Sequence, residues 1–280
     1  MQLYKLPLLR RIAIPLLKRF NLGDITIKHP YTNRKLRLHS FRHKGYWYHG
    51  ANREKETIEF FSKIISQAQT VVEIGGHIGF MTQYFAQLVG EKGAVYVFEP
   101  GINNLRYIKQ NVSGLPQVTV VECAVSNQNG TFDFYLDDLT GQNNSLVSDY
   151  EVLSGNQKRA FTDVRIEKVE VETVKFDDFS EKHDLRIDFM KIDIEGAELL
   201  ALEGMQATLK DQQPALMVEI TKDADNVYEL LTGLDYVLLD INYREISCSA
   251  EINDNTFCLH RERHKEFLRT TSHTSSPGIS

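Results

Sequence analysis

Cysteine is scarce. Cys123, Cys248 and Cys258 are three among 280 residues, and no two form a CxxC pair. A disulfide scaffold needs a dense, even set and a zinc module needs paired thiols, so both are excluded and a reducing cytosol fits best. Long apolar runs are also missing: no stretch of about 18 uncharged apolar residues occurs, and a membrane span needs about 20. With 42% hydrophobic and 25% charged residues, the composition argues against disorder, collagen or a solenoid and for one large α/β domain or two small ones.

Acid is nearly absent from the first fifty residues. Eleven Lys/Arg stand there against the single acid Asp24, a net +10, which leaves −16 on the rest of a chain whose total is −6. So sharp a split points to an anionic partner for the N-terminal part, with a solvated charged face as the alternative. Leu3 to Phe20 is broken by Arg10-Arg11, Pro7 and Pro15 and lacks a small-residue cleavage site, which argues against a secretory signal. Residues 1–22 read instead as a basic amphipathic segment lying on an anionic membrane, or as a short helix docked on the core. The expected location is cytoplasmic, at the membrane periphery.

Beyond the lead the chain is patterned. Asp24 to Arg42 alternates around His29-Pro-Tyr-Thr-Asn33, the signature of a hairpin, so residues 1–50 form a basic segment and hairpin attached to a domain over 51–260. Tyr46-Trp47-Tyr48-His49 reads as packing of that hairpin, with stacking on a sugar ring as the alternative. Glu54 to Ser66 has helical spacing. Short apolar runs follow at 71–74, 94–98, 118–123, 187–192, 215–220, 236–239 and 256–259, separated by amphipathic helices, one of them carrying Leu199, Leu202, Met205 and Leu209. This is an α/β fold with a doubly wound, mainly parallel seven-stranded sheet covered on both faces. An insertion at about 126–180 should overhang the ligand cleft, and the polar residues 261–280 predict a disordered tail.

The chemistry concentrates at strand ends. The first strand runs into Glu73-Ile-Gly75-Gly76-His77-Ile-Gly79, a turn whose glycines let backbone approach a ligand and whose following helix offers free N–H groups. The turn is not the dinucleotide G-x-G-x-x-G, and Glu73 would repel a pyrophosphate but pair with an ammonium. The second strand ends at Glu99, placed to accept from ribose hydroxyls. Together the two acids favour S-adenosylmethionine over NAD.

The stretches VVEIGGHIGFMT (71–82), VYVFEP (95–100), ECAVSNQNGTFDFY (122–135), VETVKFDDF (171–179), IDFMKIDIEGAELLALEG (187–204) and PALMVEI (214–220) carry a resemblance to the FkbM family of S-adenosylmethionine-dependent methyltransferases. The resemblance spans about residues 50–240 and implies a class I methyltransferase. It implies cofactor contacts at Glu73, Gly75, Gly79 and Glu99, adenine-side contacts near Ala124, and an active-site edge at Asp193 and Glu195; Gly76, His77 and Asp193 stand beside these as candidate cofactor contacts. The family has Asn where this chain has His77. It also implies, as acceptor, a hydroxyl of a sugar in a glycan or a secondary metabolite.

Read from the residues, Asp193 ends the fourth strand and is the candidate base, or the ligand of a divalent cation that polarises the hydroxyl, with helix capping as the bland alternative. His77 is a candidate second base. Asn143, Asn144 and Ser145 in the insertion, and Glu219 at the end of the fifth strand, are candidate substrate contacts. Two rival functions stand beside O-methylation: an RNA methyltransferase gripping nucleic acid with its basic segment, and a non-catalytic cofactor-binding protein. No RNA-binding signature supports the first, and the intact acids and glycine turn argue against the second.

Overall fold

A computed structural model describes residues 21–137, 144–146, 166–253 and 255–272. Residues 1–20, nearly all of the expected amphipathic segment, and the candidate Asn143 lie outside that set. The described chain opens with the expected hairpin: β1 (Asp24–Lys28) pairs antiparallel with β2 (Lys35–His39), Ile25 opposite Leu38 and Ile27 opposite Leu36. Period-two alternation turns Leu36 and Leu38 fully into the core. Two helices follow, α1 (Lys44–His49) and α2 (Lys55–Ile64).

The sheet then builds outward from β3 (Thr70–Ile74). Helix α3 (Phe80–Val89), β4 (Ala94–Phe98), α4 (Ile102–Asn111) and β5 (Val118–Val121) wind to one side. After the insertion the chain crosses back to β9 (Phe189–Ile192), on the other side of β3, and continues through β10 (Ala215–Glu219), β11 (Tyr236–Leu239) and β12 (Asn255–His260). The order is β11-β12-β10-β9-β3-β4-β5, parallel except for β12, which runs antiparallel to both its neighbours. The doubly wound seven-stranded expectation therefore holds. Its order reverses between β3 and β9, the place where open α/β sheets leave a crevice beyond the carboxyl ends.

Successive strand residues feed opposite faces. Val71, Val95, Val97, Phe189 and Met217 pack under α2, α3 and α4, whereas Val72, Ile74, Phe98, Met190, Ile192 and Val218 pack on the other face. That second face is covered by α5 (Phe176–Lys182), α6 (Glu198–Glu203), α7 (Gln206–Gln212) and α8 (Ala224–Gly233).

Three expectations change. The third apolar run stops at Val121, and Ala124–Val125 leaves as β6 to join a second sheet of order β6-β8-β7, with β7 at Gly130–Asp137 and β8 at Ile166–Val174. The single helix expected over Leu199 to Leu209 is two, because Gly204 passes so close to Ser126 that a Cβ there would lie 2.0 Å from its carbonyl oxygen. The tail is not disordered throughout: Lys265–Ser272 forms α9, whose Phe267 meets Phe60 and Tyr243 edge-on or tilted. Residues 273–280 lie outside the described set. Among the described residues no helix is long and apolar enough to cross a membrane.

Candidate active site

A cleft of about 260 Å³ opens at the switch point between β3 and β9. Its floor is made where two turns touch. Gly75, at φ +92°, follows β3, and a Cβ on it would lie 1.9 Å from the Asp193 carbonyl oxygen, so only glycine lets the two strand ends come together. Gly76 is pressed from the other side, where a Cβ would strike Val97 and Ile108. Both glycines line the cleft. Gly79, the third expected cofactor contact, is not among the lining residues. It starts α3 at φ +83° and lets that helix close on Ile108 and Val112 of the neighbouring helix and loop.

Two buried acids flank the turn. Glu99 accepts from the backbone N–H of Gly101 (2.8 Å) and of His77 (2.7 Å), and from the Asn104 amide (3.3 Å). Burial nevertheless pushes its carboxyl up to about 7. Glu73 accepts a 2.6 Å bond from the Thr82 hydroxyl and is likewise raised by burial to about 7, against the pull of Lys191. Ala124, with Phe98 and Val125, gives the Glu99 end an apolar wall.

At the centre lies a cluster that the sequence only partly announced. Lys191, buried within the apolar strand β9, donates to Asp193 at 2.7 Å. Burial would raise the Asp193 carboxyl, yet the Lys191 charge and hydrogen bonds from Glu219 and Lys191 hold it low, at about 2. Glu219 is driven the other way, first by the charge of Asp193 and then by burial, so it keeps its proton and donates it to Asp193. Asp193 does not cap the next helix. Glu198 serves that turn, accepting from Gly196 N (2.9 Å) and Ile194 N (3.3 Å).

The remaining candidates separate by role. Glu195, at φ +55°, lines the cleft beside Asp193. His77 lines it too, at φ +47°, a conformation that Asn or His tolerates better than most side chains. Its Nδ1 is 2.9 Å from the Tyr46 hydroxyl, which makes it a strut between turn and hairpin segment. Asn144 lines the cleft and donates to Asn103 (2.9 Å), whereas the Ser145 hydroxyl donates to the Glu195 carbonyl (2.8 Å) and so positions the motif turn without lining the cleft. Of the described residues of the insertion, Phe134, Asn144 and Leu146 line the cleft. Tyr46 packs, at 7% exposure, while Trp47 and Tyr48 are exposed.

Sequence reasoning missed Lys191, Arg53, Glu54, Thr57 and Asn255, all of which line the cleft. A lysine inside an apolar strand was the available signal for Lys191. The other four are brought in by tertiary packing and carried none.

The profile described as Methyltransferase FkbM domain matches residues 73–245, more than half of the chain. The chain belongs to the FkbM methyltransferase family. No curated protein matches it. Among solved structures, the FkbM methyltransferase from Methylobacillus flagellatus is 14% identical, with 72% of this chain and 50% of that one covered, at a TM-score of 0.43. This chain therefore spans about half the length of that protein. Fibrillarin from Aeropyrum pernix, in complex with S-adenosyl-L-methionine, is 9% identical over 85% of this chain and 83% of its own, also at 0.43. A putative rRNA methylase from Clostridium thermocellum is 13% identical over 74% and 93%, at 0.43.

S-adenosylmethionine is the cofactor of this FkbM domain, and the residues present fit it. At the strand ends Glu73, Glu99, Asp193 and Glu195 line the cleft with Lys191 as their strong cation, a balance that suits a ligand bearing an ammonium and a sulfonium and opposes a pyrophosphate. Glu99 would hold the ribose, Ala124 and its apolar neighbours the adenine, and Glu73 the amino-acid end. Among the described residues no three acid, His or Cys side chains are grouped as metal ligands. The two H-x-x-x-H spacings, His39/His43 and His260/His264, are structural: the second ring's Nδ1 accepts the first residue's backbone N–H at 3.0 Å in each.

Proposed function

We propose that this protein transfers a methyl group to a hydroxyl, that of a sugar in a glycan or a secondary metabolite. The observation that carries the reaction type is the Lys191, Asp193 and Glu219 cluster, standing between the cofactor acids and the β10 side of the cleft. When bound, S-adenosylmethionine supplies an electrophilic methyl carbon on a sulfonium that departs as a neutral thioether.

The chain's own residues supply alignment and a proton acceptor. Lys191 keeps Asp193 ionised, and Glu219 fixes its orientation through a second hydrogen bond, so one carboxylate edge is left to accept the acceptor's O–H. A carboxylate held near 2 is a weak base, which suits a late proton transfer: the acceptor oxygen turns strongly acidic as it bonds to carbon, and its proton then passes to Asp193. Alignment supplies the larger part of the rate gain. The sugar assignment follows the FkbM likeness. We place the protein in the cytoplasm, with residues 1–22 holding it to an anionic membrane or lipid-linked glycan.

Mass spectrometry of host glycans and lipids, with the gene present or deleted, tests the reading: a species heavier by one CH₂ should vanish on deletion. Complementation with Asp193→Asn should fail to restore it while the purified variant still binds S-adenosylmethionine. Full restoration would remove Asp193 from the reaction.

A further inference from the structure

One wall of the cleft comes from outside the family match. Residues 73–245 match, yet Arg53, Glu54, Thr57 and Asn255 line the same cavity. Sheet order fixes the end of it where Asn255 stands, while Arg53 reaches in from the Tyr46 side, over the ring that stacks on His77. From β4, which leads into Glu99, the path to β12 crosses β3, β9 and β10, four spacings of about 4.8 Å, so Asn255 stands about 19 Å from the β4 edge. Asn255 is the register partner of Glu219, and its amide donates to the Thr57 hydroxyl at 3.1 Å. That bond ties β12 to α2, the helix whose N-cap is Glu54.

Two features of this wall bear on a ligand. Arg53 Nε is closed off without a hydrogen-bond partner, which leaves the rest of the guanidinium, on a side chain 22% exposed, to complete its bonding from the cleft. Its guanidinium lies 4.4 Å over the Tyr46 ring, and its closest approach to Glu54 is 3.7 Å, too long for a hydrogen bond. Glu54 sits in the left-handed region at φ +55°, and its side chain does not cap its own helix. Backbone strain of this kind persists where the surroundings impose it, and it clusters at functional sites. His77 and Glu195 share both the conformation and the cleft.

The chemistry of the wall narrows the ligand. Arg53 only donates, the Glu54 carboxylate only accepts, and the Thr57 hydroxyl and Asn255 amide do both. Adjacent hydroxyls, each giving and receiving a hydrogen bond, match such a mixed set. An anion would meet the Glu54 carboxylate beside the guanidinium, and an apolar group would desolvate the guanidinium and the carboxylate without pairing either. Stacking on Tyr46 is not the mode, because Arg53 covers its ring and His77 stacks on it at 5.7 Å.

We propose that Arg53 and Glu54, backed by Thr57 and Asn255, form the acceptor subsite and select an uncharged polyol such as a pyranose, Arg53 donating to one hydroxyl and Glu54 accepting from its neighbour. The assignment rests on the methyltransferase reading and adds the residues that choose the acceptor.

The test uses the full chain saturated with S-adenosylhomocysteine and titrated with methyl pyranosides of gluco, manno, galacto, rhamno and fuco configuration, read by saturation-transfer NMR and calorimetry. At least one should bind, and Glu54→Gln and Arg53→Gln should each weaken it about tenfold or more, the loss expected for a charge-assisted hydrogen bond. Affinity for S-adenosylhomocysteine should stay within about twofold in both variants, which also shows that they fold. If wild type fails to bind S-adenosylhomocysteine, the methyltransferase reading fails. If it binds that ligand but no pyranoside, or binds pyranosides equally in the variants, the subsite is overturned. Preference for a uronic acid or a sugar phosphate over every neutral pyranoside would overturn the uncharged acceptor.

Discussion

Glu99 is both buried and hydrogen-bonded, and the two pull its carboxyl in opposite directions, with burial winning and the group held at about 7. Its folded value lies above the ordinary 4.5, so it favours the free fold below about 4.5 and that contribution is lost as pH rises through about 7. Ligand binding has the opposite sign, since two ribose hydroxyls need a carboxylate to accept them. Affinity for S-adenosylhomocysteine should therefore rise toward neutrality, by up to about tenfold per pH unit below 7, and Glu99→Gln should flatten the slope; calorimetry between pH 6 and 8 reads both. Gly75 carries a steric prediction. Alanine there meets the Asp193 carbonyl at 1.9 Å in a backbone region alanine avoids, so Gly75→Ala should lower the melting temperature and abolish cofactor binding together. Lys191 sits buried between Glu73 and Asp193, and Lys191→Met should cost about 3 kcal/mol or more by leaving buried carboxylates uncompensated, measurable by denaturant unfolding. These residues were readable to different depths. Glu73, Glu99 and Asp193 stand at strand ends, where the pattern of apolar runs alone locates a cleft. Arg53 and Glu54 do not, because nothing local marks residues that reach the cleft at the start of a helix which Thr57 ties to Asn255, two hundred positions away.

At the scale of elements, the apolar runs located every strand of the main sheet, because strands buried on both faces read as unbroken hydrophobic stretches. What they did not show were the interruptions. The break between α6 and α7 is imposed by the Ser126 carbonyl pressing on Gly204, a contact with the far side of the insertion. Helix α9 escaped notice because its apolar content is the single pair Phe267 and Leu268 in a polar stretch, yet both pack on the core under α2. The helix is therefore part of the fold. Phe267→Ala should cost about 1–2 kcal/mol, below the figure for a fully buried phenylalanine, in urea unfolding monitored by circular dichroism.

For the whole molecule, the charge split is set along the sequence. The positive residues of 1–50 precede β3, and the charged residues that line the cleft beside it are mainly acids. On the function proposed above, the basic lead brings the enzyme to its acceptor and the acidic cleft takes a cationic cofactor. Removing residues 1–22 should leave S-adenosylhomocysteine affinity unchanged while sedimentation with anionic vesicles falls, most clearly at low salt. The central claim is that the cleft at the β3/β9 switch point holds S-adenosylmethionine through Glu99. Calorimetry of the purified full-length protein tests it directly: wild type should bind one equivalent, and Glu99→Ala, melting like wild type, should bind none at the same concentrations. Undiminished binding by Glu99→Ala would contradict it.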